Sequence, residues 1–370
     1  ISSLVLGMTP IVLIFPMVSI LGYELYGAYG VGAFIFSIVS SISALGLDAF
    51  FFKNLKEYDP KKFRSYIELS LVLSTIVAIL SLGSFLVVSN ISGQETLSIT
   101  DGISIVAAGT CYFVFRLIIQ YQQYLEADQM LLKTMCIFCF IQIFTTLGFL
   151  ATDFGIASRF LGISFAALIV VGWMVRKNSW NLELTRFIWD TQQIKNSISY
   201  VVHNLGGIMF SSADRLVILA LLGGEASGRY FLTTQIMGVF RFLDDGLVKF
   251  WHSRYFKIAK IERLRLLRIL LLVMTICISS IVAVLAVDNF TVGLLATGLT
   301  NYVGCICFIG IGMLFNAIFK LFAIRYVRDN QASALAVRTI FVGSINLLLC
   351  YLLVFQFGMI GAAAAFATAS

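Results

Sequence analysis

The chain has 370 residues, of which 59% are hydrophobic and only 12% charged, with 33 phenylalanines and a mean hydropathy of +0.95. A soluble domain carries about a quarter charged residues, so this composition excludes a water-soluble globular protein. The net charge of +7 would suggest a nucleic-acid ligand in a soluble chain, but here the basic residues sit in connections between apolar runs, and no nucleic acid is expected.

Crossing a hydrocarbon core takes about 20 apolar residues in a helix, and helix satisfies its backbone groups internally where water is absent. In chain order, spans are expected near 2–21, 28–52, 66–89, 103–124, 130–152, 156–175, 195–221, 229–251, 267–287, 302–324, 332–355 and 358–370. The last is expected to be truncated, and Ile1 in place of Met suggests a trimmed start. The first run lacks the basic flank and cleavage site of a signal peptide. Connections are short, and none houses a nucleotide-binding or glycosyltransferase domain.

Basic residues fix the orientation. They crowd the connection after span 2 (Lys53, Lys56, Lys61, Lys62, Arg64), after span 6 (Arg176, Lys177, Arg186, Lys195), after span 8 (Arg254, Lys257, Lys260, Arg263, Arg265, Arg268) and after span 10 (Arg325, Arg328). The alternate turns 22–27, 90–102 and 288–301 hold acids only. Both termini are therefore expected on the cytoplasmic side.

The turn after span 1, Leu21-Gly22-Tyr23-Glu24-Leu25-Tyr26-Gly27-Ala28-Tyr29, returns after span 7 as Leu222-Gly223-Gly224-Glu225-Ala226-Ser227-Gly228-Arg229-Tyr230, 201 residues later. Phe154-Gly155-Ile156 returns as Phe357-Gly358-Met359 at an offset of 203. An even number of spans separates the copies, so the halves share one orientation and form a parallel repeat. The expected fold is an all-α integral membrane protein, with about twelve transmembrane helices in two parallel six-helix repeats around a central cavity. Residues 1–176 form the first bundle, 177–194 a cytoplasmic linker and 195–370 the second bundle.

A charge near the bilayer centre costs about 2.5–3.5 kcal/mol on insertion scales, so charges within spans face a wet cavity or one another. Span 4 carries Tyr112, Arg116, Gln120 and Gln123 on one face. Span 7 carries Asn204, Gly207, Ser211 and Arg215, with His203 and Asp214 beside them; span 8 carries Thr234, Gly238, Arg241, Asp244 and Asp245; span 10 carries Asn316 and Lys320. Bland readings exist for several. Arg241 and Asp245 neutralise each other at i,i+4, Lys320 snorkels, Asp48 and Arg159 are interfacial, and His203 is a hydrogen-bonded core residue. Arg116 and Arg215 lie deepest. Asp214 and Arg215 diverge by about 100° on a helix, so each needs partners elsewhere.

The candidate cavity residues are Arg116, Gln120, Asn204, Arg215, Arg241 and Lys320, a cationic set suited to forked recognition of phosphate or carboxylate. Asp214 and Asp245 are candidates for coupling to Na+ or H+. Pro10 and Pro16 each remove a backbone hydrogen bond from span 1, giving either a moving gate or a fixed kink. Cys136-x-x-Cys139 and Cys305-x-Cys307 have no His or acidic neighbours and read as packing thiols, so neither a metal nor a cofactor is expected. No nucleophile triad or phosphate loop is present, and no enzyme is expected.

In order and spacing, the L-G-Y-E-L-Y-G-A-Y turn, Gly46-Leu47, the run Ser211-Ser212-Ala213-Asp214-Arg215-Leu216 leading to Gly228-Arg229-Tyr230, and Phe357-Gly358-Met359-Ile360-Gly361-Ala362-Ala363 resemble the polysaccharide-transporter family. These are the Wzx-type flippases of the multidrug/oligosaccharidyl-lipid/polysaccharide exporter superfamily, and the resemblance covers essentially the whole chain. It implies a flippase in the bacterial inner membrane that moves undecaprenyl-pyrophosphate-linked repeat units to the periplasmic leaflet for O-antigen and lipopolysaccharide, capsule or exopolysaccharide. Alternating access would be driven by an ion gradient, with Arg116, Arg215, Arg241 and Lys320 holding the anionic lipid-linked oligosaccharide. The lipid tail would stay among membrane lipids beside spans 1 and 8, and a polysaccharide polymerase or chain-length regulator is an expected partner. Two alternatives stand: an ion-coupled multidrug exporter of the same superfamily, which calls for an acidic cavity, and a membrane-embedded polysaccharide polymerase, which calls for a larger periplasmic loop.

Overall fold

The computed structural model describes residues 2–44, 97–124, 128–177, 191–252, 303–328 and 331–370, together with 75–77, 79, 272, 275 and 279. Spans 3 and 9, the basic connections 53–64 and 253–268, residues 178–190 of the linker, Asp48 and the Gly46-Leu47 step lie outside the described residues. So do the side chains of Gln120, Arg241, Asp244 and Asp245.

The described fold is all-helical: α1 (Ser2–Ala44), α2 (Ile99–Tyr124), α3 (Asp128–Leu150), α4 (Ala157–Lys177), α5 (Thr191–Ser212), α6 (Asp214–Leu222), α7 (Gly224–His252), α8 (Val303–Arg328), α9 (Ala332–Phe357) and α10 (Met359–Ala369). Among the described residues, seven helices are long and apolar enough to cross a membrane, and the first of them, Thr9–Ser43, joins parts of two expected spans end to end. Helix α7 is not among the seven. It forms over 29 residues nonetheless.

Sequence chemistry explains the helix ends. At α2, the Ser98 backbone N–H and hydroxyl both donate to the Asp101 carboxylate (2.9 and 2.7 Å), while the Asp101 N–H donates to the Ser98 hydroxyl (3.1 Å). This capping box satisfies donors that the first turn leaves unpaired. Pro10 and Pro16 do not interrupt α1; its helical dihedrals fail at Gly22 (φ 71°, ψ 171°). Gly22, Gly155, Gly223 (φ 87°) and Gly358 (φ 60°) are the glycines with positive φ among the described residues. All four belong to the two repeated motifs, so the sequence repeat is also a repeat of backbone conformation.

The halves meet where α1 packs along α7. A Cβ on Gly27 would overlap the Gly224 carbonyl, and one on Gly228 would overlap the Tyr23 carbonyl. Tyr23 corresponds to Gly224 in the repeat, and Gly27 to Gly228, so the two contacts are each other's symmetry mates. An isologous contact of this kind marks a pseudo-two-fold axis, and small residues allow the close backbone approach. The central core lies behind this seam, with Tyr26, Tyr230, Phe160 and Phe231 fully or almost fully buried.

The seventh expected span is one apolar run of membrane-spanning length, Ile198–Leu222, with a single turn residue inside it. Helix α5 ends at Ser212 and α6 begins at Asp214, with Ala213 at the junction. The Asn346 side-chain amide donates to the Phe210 carbonyl (2.7 Å), and the Arg215 backbone N–H donates to its neighbour's Asp214 Oδ1 (2.9 Å). Side chains thus stabilise the groups at the break.

Candidate functional site

A cavity of about 410 Å³ opens between the halves, lined from α1 to α4 on one side and from α5 to α8 and α10 on the other. Near the helix break, Asp214 and Arg215 both line it, 4% and 9% exposed. Consecutive residues on a helix cannot face one another, and each has partners on other elements. The Tyr230 hydroxyl donates to Asp214 Oδ2 (2.7 Å). The Arg215 guanidinium lies 4.4 Å from the Phe231 ring centroid and donates to the Gly30 carbonyl at 3.4 Å. Gly30 is itself in contact with Phe231; a Cβ there would sit 3.0 Å from that ring. Arg215 therefore ties α6 of one half to α1 of the other, its charge set against a ring face.

The second cavity arginine is Arg159, in the first turn of α4 and 5% exposed. With the Gln142 amide oriented so that its oxygen faces the guanidinium, it accepts from both Arg159 terminal nitrogens, at 2.8 and 3.1 Å. Gln142 is fixed on α3, so the guanidinium is held in place by a neutral partner that leaves its charge uncompensated.

Arg159 is buried at the cavity, on α4, which packs against both α2 and α3. Arg116, Asn204 and Lys320 are half-buried and do not line the cavity. Arg116 lies one turn beyond Tyr112, where α2 supplies its lining residue, and Arg116 and Lys320 both have interactions with other groups. Pro10 lines the cavity and Pro16 does not. Ser211, Thr234 and Gly238, placed on polar faces by sequence, do line it. Tyr112, also placed on a polar face by sequence, lines it too, whereas Arg159, Gln142, Tyr230 and the other rings of the first half lie outside the sequence-derived set. Gln142, a glutamine within the apolar run of span 5, is the sequence signal that could have found Arg159. His203 donates to or accepts from Thr339 (2.8 Å), away from the cavity. The described cysteines are free thiols, and no cluster of three or more His, Cys, Asp or Glu occurs among the described residues.

No protein-family model matches the chain, nor does any curated protein sequence. Solved structures do. An inward-facing multidrug resistance MATE family transporter of the MOP superfamily superposes with a TM-score of 0.66 at 14% identity, covering 100% of this chain and 92% of that one. The chain shares the fold of that structure. The lipid II flippase MurJ, in an inward closed conformation, has a TM-score of 0.64 at 14% identity over 100% of this chain and 83% of its own. A MOP superfamily transporter from Pyrococcus furiosus, whose binding pocket of reverse polarity suggests a different function, has a TM-score of 0.61 at 12% identity over 99% and 91%. These likenesses show the fold, which a multidrug transporter and a lipid flippase share.

Proposed function

We propose that this protein is a flippase for anionic lipid-linked oligosaccharides, working by alternating access in the bacterial inner membrane. The observation that carries the reading is the chemistry of the cavity, which among the described residues is lined by two arginines, Arg159 and Arg215, and one acid, Asp214, whose carboxylate accepts from the Tyr230 hydroxyl. A guanidinium forks onto phosphate oxygens, and low surrounding dielectric strengthens that attraction. The two arginines come from different halves, so a pyrophosphate bound between them is grasped from both sides. In this reading Arg116, Arg241 and Lys320 extend the cationic path toward the cytoplasmic ends of the spans, Pro10 lets α1 flex at the cavity wall, and Asp214 or Asp245 couples to Na+ or H+. Undecaprenyl pyrophosphate bearing a repeat unit fits this chemistry. Its tail remains in the bilayer, and a polymerase or chain-length regulator receives the product.

The testing experiment is leaflet-resolved labelling of the oligosaccharide lipid in depleted cells. The lipid is expected to accumulate on the cytoplasmic side and to remain there with Arg215→Gln; unchanged periplasmic exposure would discard the flippase reading. One observation favours the multidrug-exporter alternative: the buried Asp214 carboxylate at the cavity could balance a cationic substrate. Efflux of lipophilic cations that requires Asp214 would select it.

A further inference from the structure

The first half gives the cavity a wall of a different kind. Tyr29, Phe36, Tyr112, Phe138 and Phe160 all line it. Their rings form an unbroken ladder, with centroids 5.6 Å apart from Tyr29 to Phe160, 6.1 Å from Phe160 to Phe36, 5.6 Å from Phe36 to Tyr112 and 6.1 Å from Tyr112 to Phe138. Its first rung, Tyr29, sits 5.4 Å from Phe231, the ring that carries the Arg215 guanidinium. Arg159, the residue before Phe160 in sequence, lies beside the middle of the ladder. The facing wall from α5 and α7 is polar, with Ser211, Ser212, Thr234 and Gln235.

We propose that this ladder is a sugar-stacking subsite, and that the cavity takes a pyranose next to the diphosphate it clamps. The inference rests on the flippase reading and deepens it. A pyranose has one face of C–H groups, apolar and faintly positive, which suits the negative face of an aromatic ring. Its rim of hydroxyls needs donors and acceptors, and the opposite wall supplies hydroxyls and an amide. A lipophilic cation would also favour the rings, but it would have to enter beside two arginines. A bare lipid diphosphate would use the arginines and leave the ladder empty. Phe36 and Tyr112 are half-buried whereas Phe138 and Phe160 are each 1% exposed, so the middle of the ladder offers the accessible faces.

The test compares the methyl ester of farnesyl diphosphate with farnesyl-diphosphate-linked glucose, two diesters of equal charge that differ in the group on the distal phosphate, by calorimetric titration of the purified protein. The wild type is expected to bind the sugar-bearing lipid at least tenfold more tightly. Tyr112→Leu and Phe36→Leu, which keep apolar volume and remove the ring face, are expected to shrink that preference to threefold or less. Equal affinity for both lipids in the wild type would overturn the sugar subsite while sparing the flippase reading, as would a preference untouched by both substitutions. Binding of tetraphenylphosphonium with no binding of either diphosphate would overturn both.

Discussion

At the residue scale, the deciding feature is how two buried arginines are held at the cavity. Arg159 is held by a glutamine and Arg215 by a ring face and a backbone carbonyl. A carboxylate in either role would cancel the charge a phosphate needs. Lysine cannot substitute, since it lacks the planar fork. Asp214 is treated differently, because its carboxylate takes up the Tyr230 hydroxyl and its neighbour's backbone N–H. Interhelical hydrogen bonds within membranes are worth about 0.6–1.7 kcal/mol. Tyr230→Phe, which deletes one while preserving the ring, is therefore expected to destabilise the protein by about 1–2 kcal/mol, read as a lowered thermal midpoint in detergent. An unchanged midpoint would mean that the hydroxyl bond contributes nothing.

At the element scale, the break between α5 and α6 positions Asp214 and Arg215. Beside the Ala213 turn, the Phe210 carbonyl accepts from the Asn346 side-chain amide on α9. Asn346 is 1% exposed, so Asn346→Leu strands a buried carbonyl, at a cost of about 1–3 kcal/mol. The expected outcome is a lowered thermal midpoint together with weaker diphosphate binding, and loss of stability alone would show that the break does not govern the site. The glycine seam between α1 and α7 is the second such device. Gly228→Val places a branched side chain where the Tyr23 carbonyl sits, so the halves cannot close at this end. Labelling of cysteines introduced near Gly22 and Gly223 should rise in Gly228→Val, and protection equal to the parent would show that the seam tolerates the bulk. The exposed Glu225–Arg229 pair (2.6 Å) adds little, since surface ion pairs are worth under about 1 kcal/mol. Stacking of Arg229 on Tyr23, 4.8 Å from the ring, adds a contact across the seam.

At the scale of the whole molecule, the two arginines belong to different halves, so their contributions to binding should be coupled through the ligand. If one diphosphate bridges them, Arg159→Gln and Arg215→Gln should each weaken farnesyl diphosphate binding by at least tenfold. The double variant should then be weaker than the parent by less than the product of the single effects, because either loss already breaks the clamp. Strict additivity in a double-mutant cycle would indicate two independent anion sites.

The helical membrane fold and its duplication were legible in the order of residues. Apolar runs of spanning length and two glycine motifs recurring at offsets of 201 and 203 are local signals, and a positive-φ turn demands glycine wherever it falls. The separate partners of Asp214 and Arg215 also follow from helix geometry alone. Depth along a span, in contrast, did not identify the cavity. Arg116 lies deep yet off the cavity, and Arg159 lies near a helix end yet within it. Which face of a helix meets water is set by how its neighbours pack, and the decisive partners are remote in sequence: Gln142 for Arg159, Gly30 for Arg215, Asn346 for the break before Asp214. Sequence alone determined that charges are buried in a duplicated bundle; only tertiary packing decided which of them share a cavity, because those contacts lie between helices and leave no periodic mark within any one of them.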